Sequence, residues 1–514
     1  MKRLLIITFI FASISTFSQG EANNWYFGRN AGLNFSTSPP TALTNGVLNT
    51  AEGSATISNA NGELLFYTDG SQVYHKDPNV NGGVMTNGTG LLGNSSSAQS
   101  AIIVPKPLDP NTYYIFTVDR EGGSNGVHFS EVNIPAGTLG EVTVKNTSLV
   151  NTAFEKITSV KGEECNTFWV ITADASNFYA YKVDQSGVNT TPEISPYIRT
   201  NLSTLRGYLK ISPDGKTLVN ACNWEGSYIY DFNPLNGKIT NGDTLDVNSE
   251  NTYGVEFSRS GKKLYISTGR DDQGSSASTA NIYQYNLDKN NDDIRDDITQ
   301  INADKNLIYN TNSGYRGALQ LATNGKIYYA RSSTSFLGLI NFPEEDDTNV
   351  NFIENGISLG SGIASEGLPP FIQSFFLPIE IKDNETNEVI NNLTLKNCVG
   401  QTRTISPDPV TGTDVVYKWE HKDTGGSITD VTNNTNPRVL TLNDITNSDG
   451  GTYTLTVELT DDCGVIKTLT GIFNVNIFEK SDASQPTVTP FCDADLTDTP
   501  HIFNLKDNDA KILE

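Results

Sequence analysis

The sequence predicts an all-β protein, a seven-bladed β-propeller followed by an immunoglobulin-like β-sandwich, and three observations carry that expectation. First, Arg206 to Phe232 reads as short aromatic and β-branched strands at Tyr208 to Ser212, Thr217 to Ala221 and Ser227 to Asp231. Asp214-Gly215 supplies the tight turn between the first two, and a fourth strand is expected before Gly237. Second, the unit recurs with first strands near residues 52, 99, 155, 206, 253, 316 and 366, a period of roughly 50 residues that suits propeller blades. Third, Tyr417-Lys418-Trp419 and Asp449-Gly450-Gly451-Thr452-Tyr453 supply the strand tryptophan and the corner tyrosine of a sandwich.

Composition agrees. The 514 residues include 44 glycines and 21 prolines with no sustained heptad or amphipathic helical run, so turns and strands are favoured over helices. The balance of 35 basic against 59 acidic side chains gives −24, which repels phosphate backbones and anionic lipid and excludes nucleic acid as the expected partner. Residues 1–18 read as a signal peptide: Lys2-Arg3 is the charged start, Leu4 to Phe11 the apolar core, and Thr16-Phe17-Ser18 flanks a cleavage near Gln19. That run is too short to span a bilayer and no later run is longer, so the chain is expected to carry no transmembrane segment and to be exported to the cell surface or the medium.

The propeller is expected over 19–377. Trp25 to Gly28 and Gly32 to Phe35 are two strands that lack the first strand of a unit. Glu52 to Asp77 is a full unit with its hairpin at Asn61-Gly62; later hairpins fall at Ser260-Gly261 and Asn324-Gly325. Glu366 to Phe376 is a first strand without followers, so it is expected to join Trp25 and Leu33 and close the ring, which also protects the edges.

A linker is expected over 378–396 and the sandwich over 397–479, with strands at Val439 to Leu442, Tyr453 to Leu459 and Ile472 to Ile477. Leu455 stands where a sandwich usually places a cysteine two residues after the corner tyrosine. Cys398 and Cys463 near the ends of the module are therefore expected to form its disulfide, while Cys165 and Cys222 are expected not to bond to each other. Residues 480–514 read as the start of a further, incomplete repeat of a longer protein.

The motifs NNWYFGRNAGLNF, TDG after LLFY, GLLGNSSSAQSAIIVPKP and YYIFTVD together resemble the amino-terminal region of large Bacteroidetes surface proteins, the gliding-motility-associated group exported by type IX secretion. The module at Cys398, with CVGQT and GTYTLTV before Asp462-Cys463, is similar to the immunoglobulin-like or PKD-like repeats of such proteins, and Cys492 with Phe503-Asn504-Leu505 resembles the next one. The resemblance implies adhesion or surface organisation and no particular reaction.

Two candidate sites follow from the residues. Glu52, Arg206, Arg316 and Glu366 each precede a glycine at the start of a first strand, which places them on one rim of a central channel, either as a polar ligand site or, by the commoner use, as ion pairs between blades. Asp288, Asn290, Asp292 and Asp296 hold positions one, three, five and nine of a calcium loop; Asp293 and Thr299 replace its glycine and its last glutamate, so a solvated acidic turn is the competing reading. Calcium is thus the only cofactor with any residues to hold it. His75, His128, His421 and His501 share no metal-ligand spacing, and no nucleophile elbow, CxxC pair or phosphate loop is present, so no catalytic residue is expected. Trp224 and Tyr315 are expected to pack between blades, with sugar stacking as their other use. The expected function is a non-enzymatic surface-binding or adhesion protein that recognises a glycan or a protein through propeller loops; a propeller hydrolase or lactonase is the alternative.

Overall fold

A computed structural model describes residues 19–478 except 122, 199–205, 248–250, 271–278, 291, 293, 313, 378, 392–393, 411, 462 and 465. The signal peptide and the further repeat expected at the two ends lie outside the described residues. The chain is all-β: strands alternate with turns throughout, interrupted by a single described α-helix, Ile298–Ala303, whose first turn is capped by the Asp297 carboxylate accepting from Thr299 N. No helix among the described residues is long and apolar enough to cross a membrane. Two compact units divide the chain, the first comprising Met1–Leu377 with Asp462–Ile466, the second Pro378–Asp461 with Lys467–Glu514.

In the first unit, sheets follow one another along the chain. A three-stranded sheet (Asn24–Phe27, Ala31–Asn34, Thr41–Ala42) precedes an eight-stranded one made of two antiparallel four-stranded halves, Ala55–Ser58 to Val84–Thr89 and Ala101–Pro105 to Glu141–Val150. The halves meet through one parallel pair, Glu141 with Thr86. A five-stranded sheet from Ile157–Lys161 to Glu193–Pro196 is followed by three four-stranded sheets, starting at Leu209–Ile211, Thr252–Phe257 and Leu319–Leu321. The expected hairpins are present. Gly62, Gly215, Gly261 and Gly325 take φ of +81°, +73°, +78° and +76° and donate their N–H back to Asn59, Ser212, Ser258 and Ala322 at 2.9, 2.9, 3.0 and 2.9 Å. The fourth strand of the Arg206 unit differs from expectation: it is Ile239–Leu245 and follows Gly237, because Asn233 to Lys238 close a turn in which Gly237 N donates to Asn233 O at 2.8 Å.

The first strands pass backbone hydrogen bonds from sheet to sheet. Gly53 N donates to Ser97 O (2.9 Å), Gln99 N to Glu155 O (3.0 Å), Tyr208 N to Tyr253 O (2.9 Å) and Ala318 N to Glu366 O (2.8 Å), and Glu366 N returns to Ala51 O (3.3 Å). Backbones approach closely beside the charged residues, which is why glycine follows them: a Cβ on Gly317 would sit 2.0 Å from Ala330 O, just past the neighbouring strand of its own sheet, and one on Gly367 2.2 Å from Glu52 O. The chain does close on its start, but not by the expected strand. Arg29 and Ile363 exchange N–H to O bonds of 2.9 and 3.1 Å as an isolated antiparallel bridge, whereas Glu366 to Phe376 forms no strand and ends in the 3-10 turn Gln373–Phe376. Pro369-Pro370 removes two ladder donors and explains the difference. Instead, this segment runs through the interior: Phe371 packs on Trp25 (ring centroids 6.0 Å), Lys161 N donates to Ser374 Oγ (3.0 Å), and Arg259 Nε donates to Phe376 O (2.8 Å).

The second unit has a three-stranded sheet, Ile381–Asp383, Arg403–Pro407 and Leu440–Leu442, and a five-stranded sheet ordered Thr394–Cys398, Ile466–Phe478, Gly451–Thr460, Thr413–Asp423 and Ile428–Asp430. Both contribute to one core that includes Ile381, Ile405, Trp419, Tyr453, Leu455 and Phe473. Tyr453 OH donates to Asp449 O at 3.0 Å. Residues 378–396, expected as a linker, supply strand Ile381–Asp383 and the start of Thr394–Cys398. Their buried Ile379, Ile381 and Ile390 are spaced too widely to stand out among polar neighbours. Buried Asp383 accepts from Arg403 Nη1 at 2.6 Å and ties this segment in.

The expected Cys398–Cys463 bridge is not the one formed. Cys463, whose residues 462–466 belong to the first unit, pairs with Cys165 across 298 residues of chain, and Cys398 is itself disulfide-bonded. Spacing alone cannot decide such pairings, because residues far apart in sequence compete equally with near ones. Cys222 is buried as a thiol. Closing so long a loop restricts the unfolded chain strongly, so the variant with Cys165→Ser and Cys463→Ser together is expected to lose about 2–5 kcal/mol. Calorimetry of the full chain reads this as a lowered transition for the first unit; an unchanged transition refutes it.

Candidate functional site

The rim residues come together as predicted for Glu52, Arg316 and Glu366. The Arg316 guanidinium lies between two carboxylates far apart in the chain, 3.1 Å from Glu52 Oε1 and 2.6 Å from Glu366 Oε2. It also stands 5.0 Å from the centroid of the Tyr253 ring, whose hydroxyl donates to Glu52 Oε2 at 3.3 Å. Arg206 takes other partners: Glu121 Oε2 at 2.6 Å and Glu155 Oε1 at 3.9 Å. Burial pushes the Glu52 carboxyl up to about 7 against the pull of Arg316, and burial together with nearby Glu52 holds Glu155 well above the ordinary carboxylate range. Ion pairing is therefore the arrangement found. Glu121 and Glu155 belong to the cluster although the rim reading omitted them; Glu155 opens its first strand in register with Glu52, but Lys156 follows it where the other rim residues have glycine.

Further buried polar side chains pair with one another nearby. Lys210 Nζ donates to Glu256 Oε2 (3.0 Å) and Gln320 Oε1 (2.9 Å), all fully buried. Gln99 links three first strands, its Oε1 accepting from Ile157 N (3.2 Å) and Leu209 N (2.8 Å). Lys156, also fully buried, donates to Ala221 O (2.7 Å), Asn220 Oδ1 (3.0 Å) and the Cys222 thiol (3.6 Å), and burial lowers its pKa.

The calcium-loop residues are not gathered round one point. Asp288 is held by Lys262 Nζ (3.2 Å) and accepts from Asp292 N (3.0 Å); Asp292 accepts from Ile294 N (3.1 Å); Asp296 accepts from Lys289 N (2.7 Å); Asn290 is exposed. The spacing serves a turn that leads into the capped helix Ile298–Ala303, the competing reading made from its sequence. Among the described residues no group of three His, Cys, Asp or Glu side chains is placed to hold a metal ion.

Trp224 and Tyr315 are not packed away as expected: they are 41% and 44% exposed. Trp224 takes φ +68°, unusual for a bulky side chain, in the hairpin between Thr217–Cys222 and Gly226–Phe232. Tyr315 borders an open cleft of about 250 Å³ between the last two four-stranded sheets, with Arg270, Tyr309, Tyr329 and Arg331 on its other sides. An adjoining cavity of about 420 Å³ shares Tyr309 and adds Phe352, whose ring lies 4.5 Å from that of Tyr309. Glu354 fixes one wall, accepting from Tyr309 OH at 3.1 Å and from Arg331 Nη2 at 2.5 Å. Sequence reasoning picked Tyr315 alone from this cleft, since its other walls come from strands up to sixty residues apart.

No family model and no curated protein matches the chain. Among solved structures, it is similar to the "putative 6-phosphogluconolactonase" of Bacteroides uniformis, with 13% identity over 60% of this chain and 97% of that one at a TM-score of 0.31. A protein of the same description from Bacteroides fragilis matches at 14% identity, 54% and 88% coverage and a TM-score of 0.31. The extracellular domain of a one-component system from B. thetaiotaomicron matches at 12% identity, 89% and 74% coverage and a TM-score of 0.26. At these scores the likenesses carry no argument about this chain's fold or activity.

Proposed function

We propose that the chain is an exported surface-binding protein of the gliding-motility-associated, type IX secretion kind, in which a seven-bladed propeller presents a ligand site and an immunoglobulin-like sandwich serves as a spacer. Seven blades follow from counting each half of the eight-stranded sheet as one and completing the first with the return at Ile363. The sandwich rests on the shared core and the Tyr453 corner. The observation that carries the binding function is the contrast between the two polar regions. Glu52, Glu121, Glu155 and Glu366 each lie within 3.9 Å of an arginine, whereas the cleft at Tyr315 is open and presents an exposed aromatic face. Tyrosine faces beside guanidinium groups bind and orient a ligand; they do not supply an acid and base pair for bond cleavage.

A glycan array probed with the full chain tests this: retention of one saccharide class without turnover is expected, and release of reducing ends from bound glycans overturns it in favour of a hydrolase. One observation favours that second reading. Glu155 is a buried carboxyl that burial and nearby Glu52 hold well above the ordinary carboxylate range, the direction a general acid needs, and a Glu155→Gln variant that abolished such turnover would identify it.

A further inference from the structure

We infer that the cleft at Tyr315 binds an acidic sugar, a hexuronate unit within a polysaccharide, with the Tyr315 ring stacked on the pyranose and Arg270 paired with its carboxylate. The inference rests on the binding function above and specifies its ligand class. The chain carries a net charge of −24, and Arg206, Arg295, Arg316, Arg331 and Arg403 each hold a carboxylate. Arg270 does not pair with a carboxylate among the described residues. Its guanidinium is exposed at the edge of the cleft, 5.7 Å from the centroid of the Tyr315 ring. A planar cation so placed matches a carboxylate in two parallel hydrogen bonds, a geometry that lysine could not provide.

The platform is rigid. Arg270 and Tyr315 form a parallel bridge in which Arg270 N donates to Gly314 O (3.2 Å) and Arg316 N donates to Arg270 O (3.1 Å), so the axial cluster and the cleft share one backbone clamp. Gly269 allows this approach, since a Cβ there would lie 2.5 Å from Arg316 N. Beneath Tyr315, the buried Tyr329 donates its hydroxyl to Tyr315 O at 3.5 Å, and Thr311 and Thr334 add hydroxyls to the walls. A space of 250 Å³ falls below the roughly 300–1,000 Å³ of drug-sized sites and suits one pyranose ring, while the adjoining 420 Å³ along Tyr309 and Phe352 has room for its neighbours in a chain. A flat apolar face, hydroxyl partners and a cation that holds no carboxylate among the described residues are together the complement of a sugar acid. An acidic peptide would use the cation but not the stacking face.

Titration calorimetry of the full chain with trimers of galacturonate and of mannuronate, their neutral hexose counterparts and a triglutamate peptide tests the assignment. At least one uronate trimer is expected to bind about ten- to a hundred-fold more tightly than its neutral counterpart, the range of one charge-assisted contact. The preference should shrink as salt rises from low to high ionic strength. Arg270→Gln is expected to remove the preference and keep weak neutral binding; Tyr315→Ala is expected to weaken both. Both side chains are exposed, and an unchanged thermal transition verifies the fold. Equal affinity for acidic and neutral trimers, a preference that survives Arg270→Gln, no binding of any trimer, or triglutamate binding as tightly as the uronates each overturn the inference. Should the array retain only neutral glycans, the uronate assignment falls while the binding function stands; turnover instead removes the binding function itself.

Discussion

At pH 8, Arg316→Met is expected to destabilise the first unit by about 3–5 kcal/mol, the cost of breaking a buried ion pair from one side. The loss should be smaller at pH 5.5. The sign follows from Glu52. In the folded chain burial raises its carboxyl to about 7, against an ordinary value of 4.5. The contribution of Glu52 to stability is therefore fully present below 4.5 and lost as the pH rises through about 7, because the unfolded chain then releases its proton more readily. Arg316 limits that loss by favouring the ionised form. Without it the folded pKa rises further and the alkaline penalty grows, while at pH 5.5 Glu52 is already largely neutral and needs the guanidinium less. Glu21, which burial pushes to about 8, adds a pH slope of the same sign in both proteins and cancels from their difference. Urea unfolding of the full chain at the two pH values measures the effect, with Glu52→Gln in the Arg316→Met background as the companion: it should restore most of the alkaline loss. A loss independent of pH would show that Arg316 acts through packing on Tyr253 and not through charge.

How much of this was legible depended on where each residue type carries a local signal. Hairpins were readable because Asn-Gly, Asp-Gly and Ser-Gly pairs meet a backbone demand that few other residues meet, and the inner strands because their apolar runs are buried on both faces. Outer strands were not. Ile239–Leu245 and Phe352–Ser358 read ITNGDTL and FIENGIS, half-exposed sequences whose pairing is set by the neighbouring strand and not by their own propensity. The rim triad Glu52, Arg316 and Glu366 was found because close backbone approach makes glycine follow it, and Glu155 was missed because that signal is absent there. The closing segment, the disulfide partners and the walls of the cleft are long-range facts: Arg29 meets Ile363, Cys165 meets Cys463, and Arg270 meets Tyr315 with nothing in any local window to announce it.

The same close approach gives the second large effect. Gly317→Ala is expected to cost 3 kcal/mol or more, above the upper end of the roughly 1–3 kcal/mol usual for an extra core methyl. Its Cβ would lie 2.0 Å from Ala330 O and 2.9 Å from a ring carbon of Tyr329, and the first of these is backbone that cannot rotate aside. Relief requires the first strand Leu319–Leu321 to move away from Ile327–Tyr329, which would also pull Ala318 N from Glu366 O and Arg316 from its two carboxylates. Gly226→Ala is the control that separates space from backbone conformation. Gly226 has φ +97° but no atom within 4 Å of the added Cβ, so its cost should be limited to the left-handed penalty of about 1–2 kcal/mol. Chemical denaturation of both variants reads the difference directly. If Gly317→Ala proved as mild as Gly226→Ala, the tight junction beside Arg316 would be soft, and the backbone bridge from Arg270 to Tyr315 and Arg316 could not serve as a fixed clamp.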